Sequence, residues 1–281
     1  MSKTFMELKT TLFYNQGIVK NDYFCQCVFS GVMKLIKRIL LFLYQWLVFS
    51  PIFLLFTILT ALTVMLFAPV FGSRYWGYVP PRWWSRMTCW LALCRIKSSG
   101  HENIDPEQSY VFVANHQGAF DIFLIYGFLN QNIKWVQKAS LRKIPLVGFA
   151  SEMAGHVFVD NSSPAARVNT INEAKKKITD GVSMMLFPEG ARSHTGKLGR
   201  FKRGAYQIAY DLKLPIVPLT INGPFDVMKR GSLCLKPNKL ELIIHKPICT
   251  ENLNECDIPA LMDESREIIH SALWEKFKDQ N

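Results

Sequence analysis

Residues 110–121 read Tyr110-Val111-Phe112-Val113-Ala114-Asn115-His116-Gln117-Gly118-Ala119-Phe120-Asp121. The first five are apolar and rich in β-branched and aromatic types, which predicts a buried strand. The apolar run 120–129 predicts a helix, so a short polar turn joins strand to helix. That unit builds α/β sheets. His116 lies at the carboxyl end of the strand, where open α/β sheets place their active sites. Further along, strands are predicted at 134–137, 157–159, 183–187, 216–221 and 240–245. Helices are predicted at 164–179, 204–212 and 259–277. The alternation predicts an α/β fold with a mostly parallel sheet flanked by helices.

Five positions separate His116 from Asp121. In one continuous helix, side chains five apart point about 140° away from each other and do not touch. Across a strand-to-helix turn eased by Gly118, the carboxylate can swing back onto the imidazole. An Asp in a first helical turn also suits the helix dipole. The pair then makes a general base: Asp121 fixes the tautomer and stabilises the imidazolium, and His116 takes a proton from a hydroxyl. The spacing alone equally fits a loop histidine followed by a helix-capping aspartate.

A second segment strengthens the catalytic reading. Phe187-Pro188-Glu189-Gly190-Ala191-Arg192-Ser193 follows the predicted strand 183–187. Gly190 and Arg192 at a strand end suit a phosphate, with Glu189 as an orienter of the arginine or the loop. Lys138, after another strand, and Lys202, just before a helix, add cations. His194 lies in a polar loop without a carboxylate at a useful offset. His156 is separated from Asp160 by strand-like residues and reads as a core or edge histidine.

The chain has 281 residues and is 49% apolar, which excludes wholesale disorder. Its net charge is +11. Between Lys134 and Lys213, fourteen Lys/Arg against six Asp/Glu give +8 of it. Such an excess points to a polyanion: nucleic acid, a membrane surface or a phosphorylated substrate. The cations are not interleaved with aromatics and no nucleic-acid motif occurs, so no nucleic-acid partner is expected. The seven cysteines are scattered without zinc-ligand spacing, and read as reduced thiols with no metal site.

Residues 39–71 contain no Asp, Glu, Lys, Arg or His. These 33 residues exceed the roughly 20 that one span needs and fall short of two spans. A signal peptide has a much shorter apolar region. Lys34, Lys37 and Arg38 precede the run, and Arg74, Arg82 and Arg86 follow it. Positive charge on both sides favours a re-entrant hairpin, bent near Ser50-Pro51, over a single tilted span. The Trp- and Arg-rich piece 82–97 suits the headgroup layer. The expected organisation is an uncertain extension at 1–32, membrane-embedded and interfacial helices at 33–97, and an α/β domain at 98–281.

His116 and Asp121 match the His-x4-Asp signature of glycerolipid acyltransferases, and Phe187–Ser193 resembles their third block. Gly155-His-Val-Phe158-Val159 is similar to the second block, and Ile216-Val217-Pro218 to the fourth. The resemblance runs to bacterial 1-acylglycerol-3-phosphate acyltransferases. It implies acyl transfer from acyl-CoA or an acyl carrier protein to a lysophospholipid hydroxyl, with no cofactor beyond the thioester. It also implies a lipid bilayer as partner and a cell-membrane location, with the catalytic domain on the cytoplasmic side. His116 and Asp121 would be catalytic; Arg192, Glu189, Gly190, Lys138 and Lys202 would bind substrate. Two positions depart from the pattern: Ala191 stands where the family usually has Thr, and Asn161 where it usually has Arg. Arg167 is a candidate replacement cation.

Overall fold

The computed structural model describes residues 31–159, 164–178 and 181–278. Asn161, Asp160 and the side chain of Arg167 lie outside that description, as do residues 1–30 of the expected extension. The chain divides into two compact units, Met1–Ser50 and Pro51–Asn281.

In the first unit the described residues are helical from Gly31 and take a π-helical turn at Gln45–Phe49. The wider turn comes just before Pro51, which has no N–H to continue an α-helical ladder. Gly31–Phe71 is long and apolar enough to cross a membrane. The expected hairpin is corrected here: residues 31–71 are helical throughout, with no turn at Ser50-Pro51.

The second unit begins one residue into α1 (Ser50–Phe71), 22 residues or about 33 Å of helix, close to the thickness of a hydrocarbon core. Leu54, Leu55, Leu59, Leu66 and Val70 stay exposed on it, so it is apolar on several sides at once. Helix α2 (Val79–Leu91) begins with Pro80 and Pro81 in its first turn, where the missing N–H groups need no partner. It packs on α3 (Phe120–Phe128). Trp84 of α2, Phe53 of α1 and Phe123 of α3 pack in mutual contact, and Trp84 Nε1 donates to Thr57 at 2.9 Å.

The sheet has seven strands in the order β1-β7-β6-β2-β5-β3-β4. They are β1 (Arg95–Ser99), β2 (Val111–Ala114), β3 (Ile133–Lys138), β4 (Val157–Val159), β5 (Ser183–Leu186), β6 (Ile216–Asn222) and β7 (Lys239–Ile244). All pairings are parallel except β6 with β7. Strands β2, β5 and β6 are buried at every residue, which is why they read as apolar runs rather than alternations. Pro218 interrupts nothing, because the β6–β7 ladder starts one residue later at Leu219↔Ile244. The sheet also takes in Arg95–Ser99, of which the sequence assigns residues 95–97 to the interfacial piece. As an edge strand, β1 is only partly buried, and Lys97 reaches Glu241 of β7 at 3.2 Å.

Three more helices complete the layers: α4 (Val147–Met153), α5 (Pro164–Lys177) and α6 (Gly204–Leu212). A short α7 (Pro224–Val227) precedes α8 (Ile258–Ser271). Val111 and Val113 of β2 join one core cluster with Met184, Tyr206, Ile258 and Ile269. The period of two sends Phe112 to the opposite face. Ile258, Leu261, Ser265 and Ile269 of α8 are buried at helical spacing, and Ser265 Oγ lies 2.5 Å from Tyr206 Oη.

Candidate active site

Strands β2, β5 and β3 are neighbours and parallel, so their carboxyl ends open on one edge of the sheet. His116 follows β2, Glu189 follows β5, and Lys138 ends β3. The order of strands in the sheet, with β5 beside β2, brings the two main sequence segments together.

His116 Nδ1 lies 2.6 Å from Asp121 Oδ2. Asp121 is fully buried in the first turn of α3, while the His116 side chain keeps 14% exposure. Since a buried carboxylate accepts, Nδ1 carries the proton, and Nε2 is the nitrogen left for a hydroxyl. The same Oδ2 accepts from Gly118 N–H at 3.0 Å, so the carboxylate folds back over its own turn. Burial raises the Asp121 pKa, and its bonds to His116 and Gly118 oppose that rise. Gly118 is favoured by close packing as well as by turn flexibility. A Cβ there would meet the Met228 carbonyl oxygen at 3.0 Å and that of Pro224 at 3.1 Å.

Glu189 locks the two segments to each other. Its Oε1 accepts from His116 N–H at 2.7 Å, and its Oε2 from Gly199 N–H at 2.9 Å. Ser193 N–H donates to the His116 carbonyl at 2.8 Å. Burial raises the Glu189 pKa as well. Gly190 has φ +74°, and a Cβ on it would fall 2.8 Å from Lys202 Nζ, which places that ammonium against the Gly190 backbone. Lys202 N–H donates to the Pro188 carbonyl at 2.9 Å. Arg192 is exposed on the same loop. Lys138 is exposed at the end of β3, without a recorded bond to the other site residues.

Several contributors are silent in the sequence. The Phe187 ring stacks on His116 with centroids 3.9 Å apart and planes at 8°. Trp135 of β3 stacks behind Phe187 at 5.7 Å. Asn115 exchanges two 2.8 Å hydrogen bonds with the Ile221 backbone, which ties the end of β2 to β6. Arg230 Nη1 donates to the Arg192 carbonyl at 2.8 Å, so the basic pair Lys229-Arg230 after α7 borders the loop. A basic pair soon after a parallel strand was the available signal for it. His194 is exposed. His156 is a buried core histidine whose Nδ1 accepts from Trp135 N–H at 3.3 Å. Burial, with Lys134 and Lys177 nearby, pushes its pKa down to about 3, so it stays neutral through the physiological range.

The stack sets an expectation. Phe187→Leu removes the flat surface that holds the imidazole in plane, while largely keeping apolar volume. The turnover number should fall several-fold to tenfold with little change in acceptor KM, and Phe187→Tyr should restore most of it. Steady-state kinetics on the three proteins checks this.

A family model described as Acyltransferase matches residues 95–222, from the first residue of β1 to the last of β6. This stretch is an acyltransferase domain. It contains His116, Asp121, Glu189, Arg192 and Lys202. The chain is 35% identical over 176 residues to a chloroplastic 1-acyl-sn-glycerol-3-phosphate acyltransferase of Brassica napus, covering 62% of this chain and 49% of the relative. It is 31% identical over 181 residues to 1-acyl-sn-glycerol-3-phosphate acyltransferase alpha of Mus musculus, covering 64% and 62%. The chain spans about half the length of the plant relatives it matches. The acyltransferase domain and its surroundings also superpose on the crystal structure of the 1-acyl-sn-glycerophosphate acyltransferase PlsC from Thermotoga maritima. That match has a TM-score of 0.68 and 26% identity, over 85% of this chain and 98% of the other.

Proposed function

We propose that the domain transfers a fatty acyl group from acyl-CoA or an acyl carrier protein to the sn-2 hydroxyl of 1-acylglycerol 3-phosphate. The product is phosphatidate, a step of phospholipid synthesis. The observation that carries this reading is the His116–Asp121 pair at the carboxyl end of β2, with Nε2 left to receive a proton. The names of the relatives supply the substrate class. In the reaction, Nε2 takes the hydroxyl proton as the oxygen attacks the thioester carbonyl. The tetrahedral intermediate collapses, the carbon–sulfur bond breaks, and the imidazolium returns its proton to the thiolate. The thioester brings its own activation, so this sequence uses no metal or other cofactor. Phe187 holds the ring, and Glu189 holds the backbone under it. Gly31–Phe71, long and apolar enough to cross a membrane, supports a lipid bilayer as partner and a cell-membrane location, and Arg74, Arg82 and Arg86 on the domain's side of it support a cytoplasmic side for the domain.

Arg192, with Lys202 and Lys138 in support, is assigned to the acceptor's phosphate. A hydrogen bond to a charged group contributes about 1.5–3 kcal/mol, so Arg192→Ala should raise the acceptor KM by about ten- to a hundredfold. The acyl-CoA KM should change much less. Equal increases in both would move Arg192 to the donor or to loop structure.

The acceptor is tested by giving the purified full chain lysophosphatidate and lysophosphatidylcholine in parallel, with the same acyl-CoA. Lysophosphatidate should be strongly preferred. Preference for the zwitterionic lipid would point instead to another lyso-lipid acceptor, a reading that the neutral Asn161 favours. Thiol release with neither would leave an anion-binding protein without catalysis.

A further inference from the structure

Residues 138–149 join β3 to α4 and contain Lys138, Arg142 and Lys143 but no acidic residue. Leu141, Ile144, Leu146, Val147 and Phe149 are all exposed, with Ile144 at 44% and Phe149 at 52%. Five large apolar side chains in nine positions is a dense patch for a water-facing loop.

Their exposure is built in. Ile144 N–H donates to the Leu141 carbonyl at 3.2 Å, and Gly148 N–H to the Ile144 carbonyl at 2.9 Å. Leu146 adopts φ +61° and ψ −53° at the centre of a tight turn closed by Val147 N–H donating to the Pro145 carbonyl at 2.7 Å, a conformation that a leucine rarely takes. A Cβ on Gly148 would come within 2.3 Å of the Arg142 carbonyl oxygen, so the turn is closed tightly at that point. Turning the apolar side chains inward would require opening this turn.

The far end of α4 shows what the patch faces. Met153 and Ala154 pack in one cluster with Val64 and Ala68 of α1 and with Trp76. Lys134 Nζ pins the same place, donating to the Ser73 carbonyl at 2.9 Å and the Ala154 carbonyl at 2.8 Å. Phe149 and Met153 are spaced i and i+4 on one face of α4. That face starts at the exposed patch and ends against α1. With seven residues, α4 is only about 10 Å long. The patch therefore lies about one short helix from a helix suited to hydrocarbon.

We infer that residues 141–149 form a second membrane-contact element, separate from Gly31–Phe71. Its apolar side chains enter the boundary between headgroups and acyl chains, and its cations meet anionic headgroups. Arg142 pairs with Glu152 of α4 at 3.2 Å, and with that acid counted residues 138–152 still carry a net +2, so the apolar surface fits an anionic lipid surface. The contact itself does not depend on the proposed reaction. Its benefit does: β3 ends beside β5, so the contact would hold the His116 edge of the sheet at the layer from which a lysophospholipid arrives.

The test places an environment-sensitive fluorophore at Ile144→Cys in the full chain, with Cys25, Cys27, Cys234, Cys249 and Cys256 replaced by Ser. The protein is reconstituted in phosphatidylcholine vesicles with and without phosphatidylglycerol. The expected result is blue-shifted emission quenched by a lipid-borne quencher and shielded from aqueous iodide, more strongly with phosphatidylglycerol. A control probe at Glu251→Cys should behave as in water. Water-like emission at Ile144 with full iodide quenching would overturn the inference, whatever the enzyme's activity. As a second measurement, Ile144→Glu with Phe149→Glu should lower acylation of vesicle-borne lysophosphatidate several-fold. It should spare a short-chain monomeric acceptor. Equal loss on both acceptors would also contradict the inference, since it would mean a damaged fold.

Discussion

His116→Ala should reduce acyl transfer to the level of the uncatalysed background while the protein still folds. A positioned general base contributes about 10²–10⁴-fold, and among the described residues no other histidine is paired with a carboxylate. His156 is buried and held neutral, and His194 stands exposed on the loop. The fold should survive because the His116 side chain sits at a strand end, beyond the fully buried residues of β2. The hydrogen bond from Nδ1 is lost, but Asp121 still accepts from Gly118 N–H. Its pKa, already raised by burial, rises further, and the carboxyl group can protonate rather than stay charged and buried. Asp121→Asn should also lose most of the activity, because an amide carries no charge to stabilise the imidazolium. Turnover measurements beside thermal melting of each variant check both expectations. A purified His116→Ala protein with near-normal turnover would remove the base from the mechanism.

Glu189→Gln should be the next most damaging change. Both carboxylate oxygens accept from backbone N–H groups, one on each side of the site. A glutamine offers one acceptor and one amide donor. In either orientation its NH2 faces an N–H group, so one buried bond becomes a repulsive donor–donor contact. An unsatisfied buried donor costs about 1–3 kcal/mol, and the loop behind it loses its tie to His116. Turnover should drop by about ten- to a hundredfold, and the melting temperature should fall with it. Glu189→Asp retains both acceptors on a shorter arm and should keep more activity than Glu189→Gln. If Glu189→Gln matched the wild type in both melting and turnover, the carboxylate would not be the clamp described.

The parts of the molecule written in continuous local signals are legible in the sequence. Strands β2, β5 and β6 are fully buried runs, and the helix Gly204–Leu212 and the strand Val157–Val159 fall where their patterns place them. His116 and Asp121 are readable because both partners lie on one strand-to-helix turn. What was not readable depends on distant or unsignalled contacts. Glu189 bonds a residue 73 positions earlier, and nothing local to Phe187 announces its stacking on His116. The α2–β1 boundary is hidden because Leu93, not glycine, takes the left-handed conformation there, at φ 55°. The Trp/Arg pattern of α2 then runs on into an edge strand without a break. Helix α4 has too few residues for a periodic signal. The run 39–71 shows that charge-free length is plain in a sequence, while the course of the chain at Pro51 is not: a proline can be absorbed by a π turn.

The central claim is direct transfer from thioester to a hydroxyl activated by His116, with no acyl group resting on the enzyme. It is tested by mixing the purified full chain with acyl-CoA alone and following thiol release, then adding lysophosphatidate. The account predicts no stoichiometric burst before the acceptor is added, and afterwards phosphatidate and free thiol in equal amounts. A burst of one thiol per enzyme without acceptor, or thiol release without phosphatidate, would contradict it.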